Sequence, residues 1–237
     1  MEIKAIKEKL SGAGSVAVLT GAGVSAECGV PTFRGEDGLW KNYRAEELAT
    51  PEAFERNPSL VWEWYDWRRG LIAPLDPNPG HYAIAEMEKK FENFLLITQN
   101  VDGLHAKAGS RKMVELHGNI WKMRCVTEGK VSDNRITPLP EIPPRCECGG
   151  MLRPHIVWFG ESLEADIIEA AFEAARSSDV FIVAGTSSLI QPAASLSHVA
   201  KDAGAFVIEI NLEATPVSSM VDASIRGKSG EILPLLV

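Results

Sequence analysis

The sequence predicts an α/β fold: a doubly wound parallel sheet with a smaller inserted module. Four near-continuous apolar runs, Val16–Leu19, Phe94–Thr98, Val180–Ala184 and Phe206–Ile210, read as strands buried on both faces. Helical periodicity lies between them. It is clearest over residues 164–176, where Ile167, Ile168, Ala171, Phe172 and Ala175 recur at three- and four-residue spacing. Each run passes directly into small or polar residues, as strands do where they end at a binding crevice.

Composition sets the bounds. The 237 residues are 45% hydrophobic, enough for one large domain or one domain with a small insertion. A net charge of -8 argues against direct nucleic-acid binding and suits cationic, Lys-rich protein partners. The first ten residues alternate charged and apolar positions at helical spacing and hold no signal-peptide core. No apolar run approaches the roughly 18 residues of a membrane span. The expectation is a cytoplasmic protein, a monomer, with no membrane partner.

Taken in order, the first strand feeds the turn Gly21-Ala22-Gly23-Val-Ser-Ala26. Glycines there let backbone N–H groups approach a pyrophosphate at a helix N-terminus. This pattern alone is a weak dinucleotide signal. A dehydrogenase would continue through a helix to a second strand ending in an acid about 20 residues on. Here Pro31-Thr32-Phe33-Arg34-Gly35 intervenes, and no apolar strand follows until Phe94. Residues 35–90 are rich in Trp and Pro and mostly helical in their centre. The second strand runs into Gln99-Asn100-Val101-Asp102, which reads as a helix-capping cluster or as a polar wall for a ligand. His117 follows in Glu115-Leu-His-Gly-Asn119; a lone histidine of this kind reads as a structural residue or as a base. Residues 120–155 hold Cys125, Cys146, Cys148 and five prolines, and lack a strand–helix rhythm. Clustered cysteines in a reducing compartment point to metal before disulfide. The last two strands end in Gly185-Thr186-Ser187 and Asn211-Leu212-Glu213, either ordinary loop chemistry or ligand contacts.

Seven strings occur in order: Gly21-Ala-Gly-Val-Ser-Ala-Glu27, Pro31-Thr-Phe-Arg-Gly, Thr98-Gln-Asn-Val-Asp, Leu116-His-Gly, Val157-Trp-Phe-Gly-Glu161, Gly185-Thr-Ser and Ile210-Asn-Leu. Together they resemble the sirtuins, the NAD-dependent protein lysine deacylases, over nearly the whole chain. The resemblance implies one catalytic domain over residues 1–237. Its Rossmann-like part would span about 1–34, 91–119 and 156–237. Insertions at about 35–90 and 120–155 would form a helical lobe and a zinc-ribbon-like lobe. NAD is implied as a consumed co-substrate, with acylated lysines of proteins as the other substrate.

The resemblance also implies residue roles. The acyl oxygen of the substrate attacks the nicotinamide ribose and nicotinamide leaves; His117 then deprotonates a ribose hydroxyl. Asn100 and Asp102 hold the carboxamide and ribose in an attackable pose. NAD contacts are implied at Gly21, Ala22, Gly23, Ala26, Glu27, Pro31, Thr32, Arg34, Trp40, Gln99, Val101, Gly185, Thr186, Ser187, Asn211, Leu212 and Glu213. Phe33 is implied as a cover over the vacated nicotinamide site, and Ser229 as a small residue behind the adenine. Val157, Phe159, Gly160 and Glu161 are implied as the groove where an acyl-lysine peptide adds as a strand.

Tyr65 and Arg68 are three residues apart in an aromatic helical stretch and share a face. They read as packing, or as a hydroxyl and guanidinium that suit a carboxylate. They resemble the Tyr-x-x-Arg of sirtuins that remove succinyl and malonyl groups. Ala49 and Ala53 would leave room for the longer chain. One feature departs from the family pattern of two Cys-x-x-Cys pairs: Cys125 is followed three residues later by Glu128, and Cys146 and Cys148 are separated by one residue. Three thiolates with Glu128 or water would bind a structural zinc, or the lobe holds without metal. An ADP-ribosyltransferase and a non-catalytic NAD- or acyl-lysine-binding module stay open as alternatives.

Overall fold

The structure, a computed structural model, describes residues 3–31, 39–40 and 43–237, the side chains of Leu39 and Trp40 excepted. The chain opens with α1 (Ile3–Ser11), which buries Ile6 and Leu10. Next come β1 (Ser15–Thr20), α2 (Ala22–Ala26) and a short antiparallel pair, β2 (Leu39–Trp40) and β3 (Tyr43–Arg44). The helices α3 (Ala45–Leu48), α4 (Pro51–Arg56), α5 (Pro58–Ile72) and α6 (Pro79–Lys90) follow. Local chemistry starts the last three of these. Thr50, Asn57 and Asn78 each accept a hydrogen bond from a first-turn N–H, and each precedes a proline whose missing N–H costs nothing there.

The rest comprises β4 (Asn93–Thr98), α7 (Leu104–Ala108), β5 (Met113–Glu115), β6 (Gly118–Cys125), β7 (Val131–Asp133), β8 (Leu152–Ile156), α8 (Ala165–Ser177), β9 (Val180–Ala184), α9 (Leu196–Asp202), β10 (Phe206–Asn211), β11 (Ala223–Arg226) and α10 (Ser229–Ile232). Six strands form one parallel sheet in the order β11-β10-β9-β1-β4-β5. Numbered along the chain within the sheet, this is the 3-2-1-4-5-6 order of dinucleotide-binding folds, with its switch point between β1 and β9. β9 is buried at all five positions. Two apolar clusters cover the two faces of the sheet, one with Ile6, Ile84, Met87 and Leu233, the other with Ala171, Ala175, Leu196 and Ala200.

β6, β7 and β8 form a separate antiparallel sheet. With α3, α4 and α5 it encloses a third core, rich in aromatics: Trp62, Trp64, Tyr65, Trp121 and Trp158. Helix α6 packs elsewhere. Although it lies within residues 35–90, its Ala83, Ile84 and Met87 join the core of the large sheet. The β2–β3 pair is a further element that the sequence reading does not anticipate.

Candidate active site and metal centre

The loops after β1 and β9 meet at the switch point. Gly21 N donates to Ala184 O at 3.1 Å and Gly23 N to Gly185 O at 2.7 Å. These two N–H groups therefore bind the neighbouring loop, which corrects the expectation that they face a pyrophosphate. The glycines are required by close approach. A Cβ on Gly21 would lie 2.6 Å from Thr186 Cβ, and one on Gly23 2.8 Å from Gly185 O. Gly185 has φ +60°, and a Cβ there would lie 2.5 Å from Val24 N.

Polar side chains tie the strand ends together. Gln99 Nε2 donates to Thr186 Oγ1 at 3.0 Å, and Asn211 Nδ2 to Thr186 O at 2.8 Å. Ser188 holds a left-handed conformation at φ 53°, uncommon for a residue with a Cβ. Its Oγ is buried and has no partner among the described residues. Ser187 is half-buried beside it, while Leu212 and Glu213 are exposed past the end of β10. Ala22 and Ala26 are exposed on α2, and Pro31 is half-buried. The Glu27 carboxylate accepts from Gly230 N at 3.1 Å, joining α2 to α10, whose first residue Ser229 is buried. Thr32, Phe33 and Arg34 lie outside the described residues, as does the side chain of Trp40.

Behind this crevice sits a buried polar network. Asn100 Nδ2 donates to Gly21 O at 3.0 Å and to Ser25 Oγ at 3.1 Å. Ser25 Oγ also lies 3.3 Å from His81 Nε2. His105 Nε2 contacts Thr20 Oγ1 at 3.0 Å; that hydroxyl donates to Thr98 Oγ1 at 2.9 Å, which accepts from Asn100 N at 3.1 Å. Ser25 and Thr98 lie within strings that the sequence analysis singles out, but these residues and Thr20 carry no role there, because their bonds join distant segments. Asp102 Oδ1 accepts from Leu104 N at 2.8 Å, in the first turn of α7, whose N-cap is Gly103. Burial raises the Asp102 carboxyl above its ordinary range. Val101 is buried in the aromatic core, and Ile120 N donates to its carbonyl at 2.8 Å.

His117 stands between β5 and β6. Its Nδ1–H donates to Gln99 O at 3.1 Å, which leaves the Nε2 lone pair open. Burial lowers its pKa, with the Gln99 bond opposing, so the ring is neutral at pH 7. His117 O accepts from Val157 N at 3.0 Å, and Ala49 O from Phe159 N at 2.9 Å. The loop Val157–Glu161 is thus pinned beside the histidine, with Phe159 and Gly160 exposed. A cavity of about 520 Å³ opens on this side, lined by Leu116, Gly118 and Val157 with Glu115, Arg153 and Glu161. It flanks His117 and does not extend over the switch point.

On α5, Tyr65 and Arg68 are both buried on the face turned into the aromatic core, as are Ala49 and Ala53 nearby. Tyr65 Oη accepts from Trp158 Nε1 at 2.9 Å. Burial pushes the Tyr65 pKa up to about 12, with Arg68 opposing, so the phenol keeps its proton. Burial lowers the Arg68 pKa, with the charges of Tyr65 and Asp102 opposing.

The sequence-distant Cys125, Glu128, Cys146 and Cys148 converge, with their ligand atoms all within 4.8 Å of one another. Cys125 Sγ lies 3.5 Å from Cys148 Sγ, and Cys146 Sγ 3.7 Å from Glu128 Oε2. A tetrahedral zinc with Zn–S of about 2.3 Å requires ligand separations of roughly 3.5–3.8 Å. Two backbone donors aim at the sulfurs, Glu128 N at Cys125 and Gly150 N at Cys148. The donor set fits zinc.

A six-stranded dinucleotide-type sheet, a polar crevice at its switch point and an inserted cysteine-bearing module define the architecture of one family. The chain belongs to it: residues 21–192 match the Sir2 family. It is 60% identical over 216 residues to the NAD-dependent protein deacylase of Aquifex aeolicus, covering 91% of this chain and 90% of that one. It superposes with a TM-score of 0.92 on a Sir2 homologue–NAD complex, at 46% identity, covering 100% of this chain and 92% of the other. It matches equally, at 46% identity and 0.92, a mutant Sir2 homologue in complex with 2′-O-acetyl ADP ribose, covering 100% and 95%.

Proposed function

We propose that this protein is an NAD-dependent protein lysine deacylase in which His117 is the base and Tyr65 with Arg68 admits acidic acyl groups as well as acetyl. The observation that carries the reading is the state of His117: neutral, its Nδ1–H held by Gln99 O, its Nε2 open beside the Val157–Glu161 loop.

NAD bound at the switch point supplies the activated ribose carbon that accepts the acyl oxygen. The unpartnered Ser188 hydroxyl and the polar strand ends fit a ligand there. Around it, Gly21, Ala22, Gly23, Ala26, Glu27, Pro31, Thr32, Arg34, Trp40, Gly185, Thr186, Ser187, Asn211, Leu212, Glu213 and Ser229 form the dinucleotide site, with Phe33 as its cover. Gln99, Asn100, Val101 and Asp102 wall the nicotinamide end and orient it. His117 Nε2 takes the proton from a ribose hydroxyl. The acyl-lysine peptide lies along Val157, Phe159, Gly160 and Glu161, where main-chain bonding tolerates many sequences. Tyr65 donates its phenolic hydrogen, and Arg68 its charge, to the carboxylate of a succinyl or malonyl group.

Zinc held by Cys125, Cys146, Cys148 and Glu128 is structural, since a closed site leaves no position for a reacting water. We place the enzyme in the cytoplasm as a monomer acting on proteins, away from nucleic acid and membrane. Among the described residues no helix is long and apolar enough to cross a membrane.

The test is NAD-dependent nicotinamide release with matched acetyl-lysine and succinyl-lysine peptides. Turnover of both is expected, and Arg68→Met should depress the succinyl reaction far more than the acetyl one. Protein-bound ADP-ribose as the main product would instead favour the transferase, and no release with either peptide the binding module.

A further inference from the structure

Trp158 is held from several sides in the aromatic core. The guanidinium of Arg153 lies 3.6 Å from its ring centroid, and Phe54 packs at 5.2 Å. Arg153 is in turn held by both carboxylate oxygens of Glu161, at 2.6 and 2.9 Å. The same Glu161 Oε2 accepts from Trp158 N at 2.8 Å. Backbone and indole are therefore fixed by one closed unit, and the indole N–H has a single direction. It points at Tyr65 Oη, 2.9 Å away.

A phenolic hydrogen lies near the ring plane and has two favoured positions, one on each side of the oxygen. Donation by the indole occupies one side, so the hydrogen of Tyr65 takes the other. There it meets no acceptor among the described residues. Arg68 stands on the same face of α5 and brings a positive charge to the same side chain. An O–H hydrogen and a guanidinium on one helix face are the complement of a carboxylate.

We propose that Trp158 is a specificity-determining positioning residue: its indole N–H aims the Tyr65 hydroxyl hydrogen into the acyl site, so that the pocket reads the acyl carboxylate with a preset donor. The inference rests on the reading of Tyr65 and Arg68 as the carboxylate pair. Preset donors lose less freedom on binding than rotatable ones, which is where the gain in recognition arises. Acetyl-lysine has no carboxylate and draws nothing from this arrangement.

The experiment is steady-state kinetics of the full chain with NAD and matched acetyl-lysine and succinyl-lysine peptides. The proteins are wild type, Trp158→Phe, Tyr65→Phe and the double variant. Trp158→Phe should lower the succinyl-to-acetyl ratio of kcat/KM by about tenfold, the size of one hydrogen bond, through the KM of the succinyl peptide. Tyr65→Phe should lower the ratio at least as far, and the double variant no further. If Trp158→Phe does not fold, site-specific replacement of the indole by benzothiophene keeps the ring shape and removes the N–H; the same ratio is read. Equal loss for both peptides, or additive losses in the double variant, would overturn the role of Trp158. Wild type that turns over acetyl-lysine alone sinks the carboxylate pair and Trp158 with it. Wild type active on both, with an unchanged ratio in Trp158→Phe, sinks Trp158 only.

Discussion

His117 is a base by surroundings as much as by type. A histidine with one nitrogen on a backbone carbonyl has its tautomer settled, and burial keeps the ring uncharged. The sign of the pH effect follows. The base form fills as pH rises through a pKa below 6.5, so activity should hold at neutrality and fall on the acid side. A pH profile of kcat/KM for nicotinamide release is the check; an acid limb centred above pH 7 would assign the titration to another group. His117→Ala should reduce turnover by roughly two to four orders of magnitude while leaving circular dichroism and melting unchanged. Glu209 illustrates the opposite use of a buried charge. Its carboxylate accepts from Ser218, Ser224, Arg226 and Thr215, and these bonds hold its pKa below the usual range despite burial. They fasten the loop that follows Asn211, at the far end of the crevice.

At the level of elements, the crevice is made by two loops packed backbone to backbone. Gly185→Ala should destabilise the protein by about 3 kcal/mol, because strain at positive φ adds to the clash with Val24 N. Gly204 is the control: its φ is +95°, but a Cβ there meets nothing within 4 Å. Gly204→Ala should cost about 1 kcal/mol, the backbone part alone. Thermal melts of the two variants measure the difference; equal shifts would mean that close approach contributes nothing. The apolar strands β1, β4, β9 and β10 were legible in the sequence because parallel strands buried on both faces are apolar throughout. β5 and β11 were not, being three and four residues long at the sheet edges. β8 contains Pro154, which argues against a strand until its edge position is known. The polar run Asn100–Asp102 stood out because it follows the apolar strand β4 directly, whereas His117 follows the unmarked β5 and owes its reading to the family resemblance. The convergence of Glu128 on three sulfurs was legible in the spacing of Cys125, Glu128, Cys146 and Cys148; the Trp158–Tyr65 bond joins distant segments, and no local pattern encodes it.

For the whole molecule, buried histidines set an acid limit. His81 is fully buried, and desolvation pushes its pKa down to about 4; His105 is lowered well below the ordinary value for the same reason. Between pH 6.5 and 4 the unfolded chain takes up protons that the folded His81 refuses. Stability is therefore full above pH 6.5 and is lost as pH falls, by on the order of 3 kcal/mol for His81 alone. Melting temperatures should drop steadily across that window, and His81→Gln should flatten the slope. An unchanged slope in that variant would assign the acid loss elsewhere.

The neighbours of β1 carry a consequence for synthesis. Val16 pairs with Phe94 on one side and with Val180 on the other. A chain leaving the ribosome therefore presents its central strand with one apolar edge bare until most of the sequence has emerged. The glycine loops, which need both strands, close only after β9 has emerged. Pairing at such separation is slow, and nascent chains in that interval are the ones most exposed to wrong partners. In this architecture the crevice cannot form on the ribosome before β9 has left it.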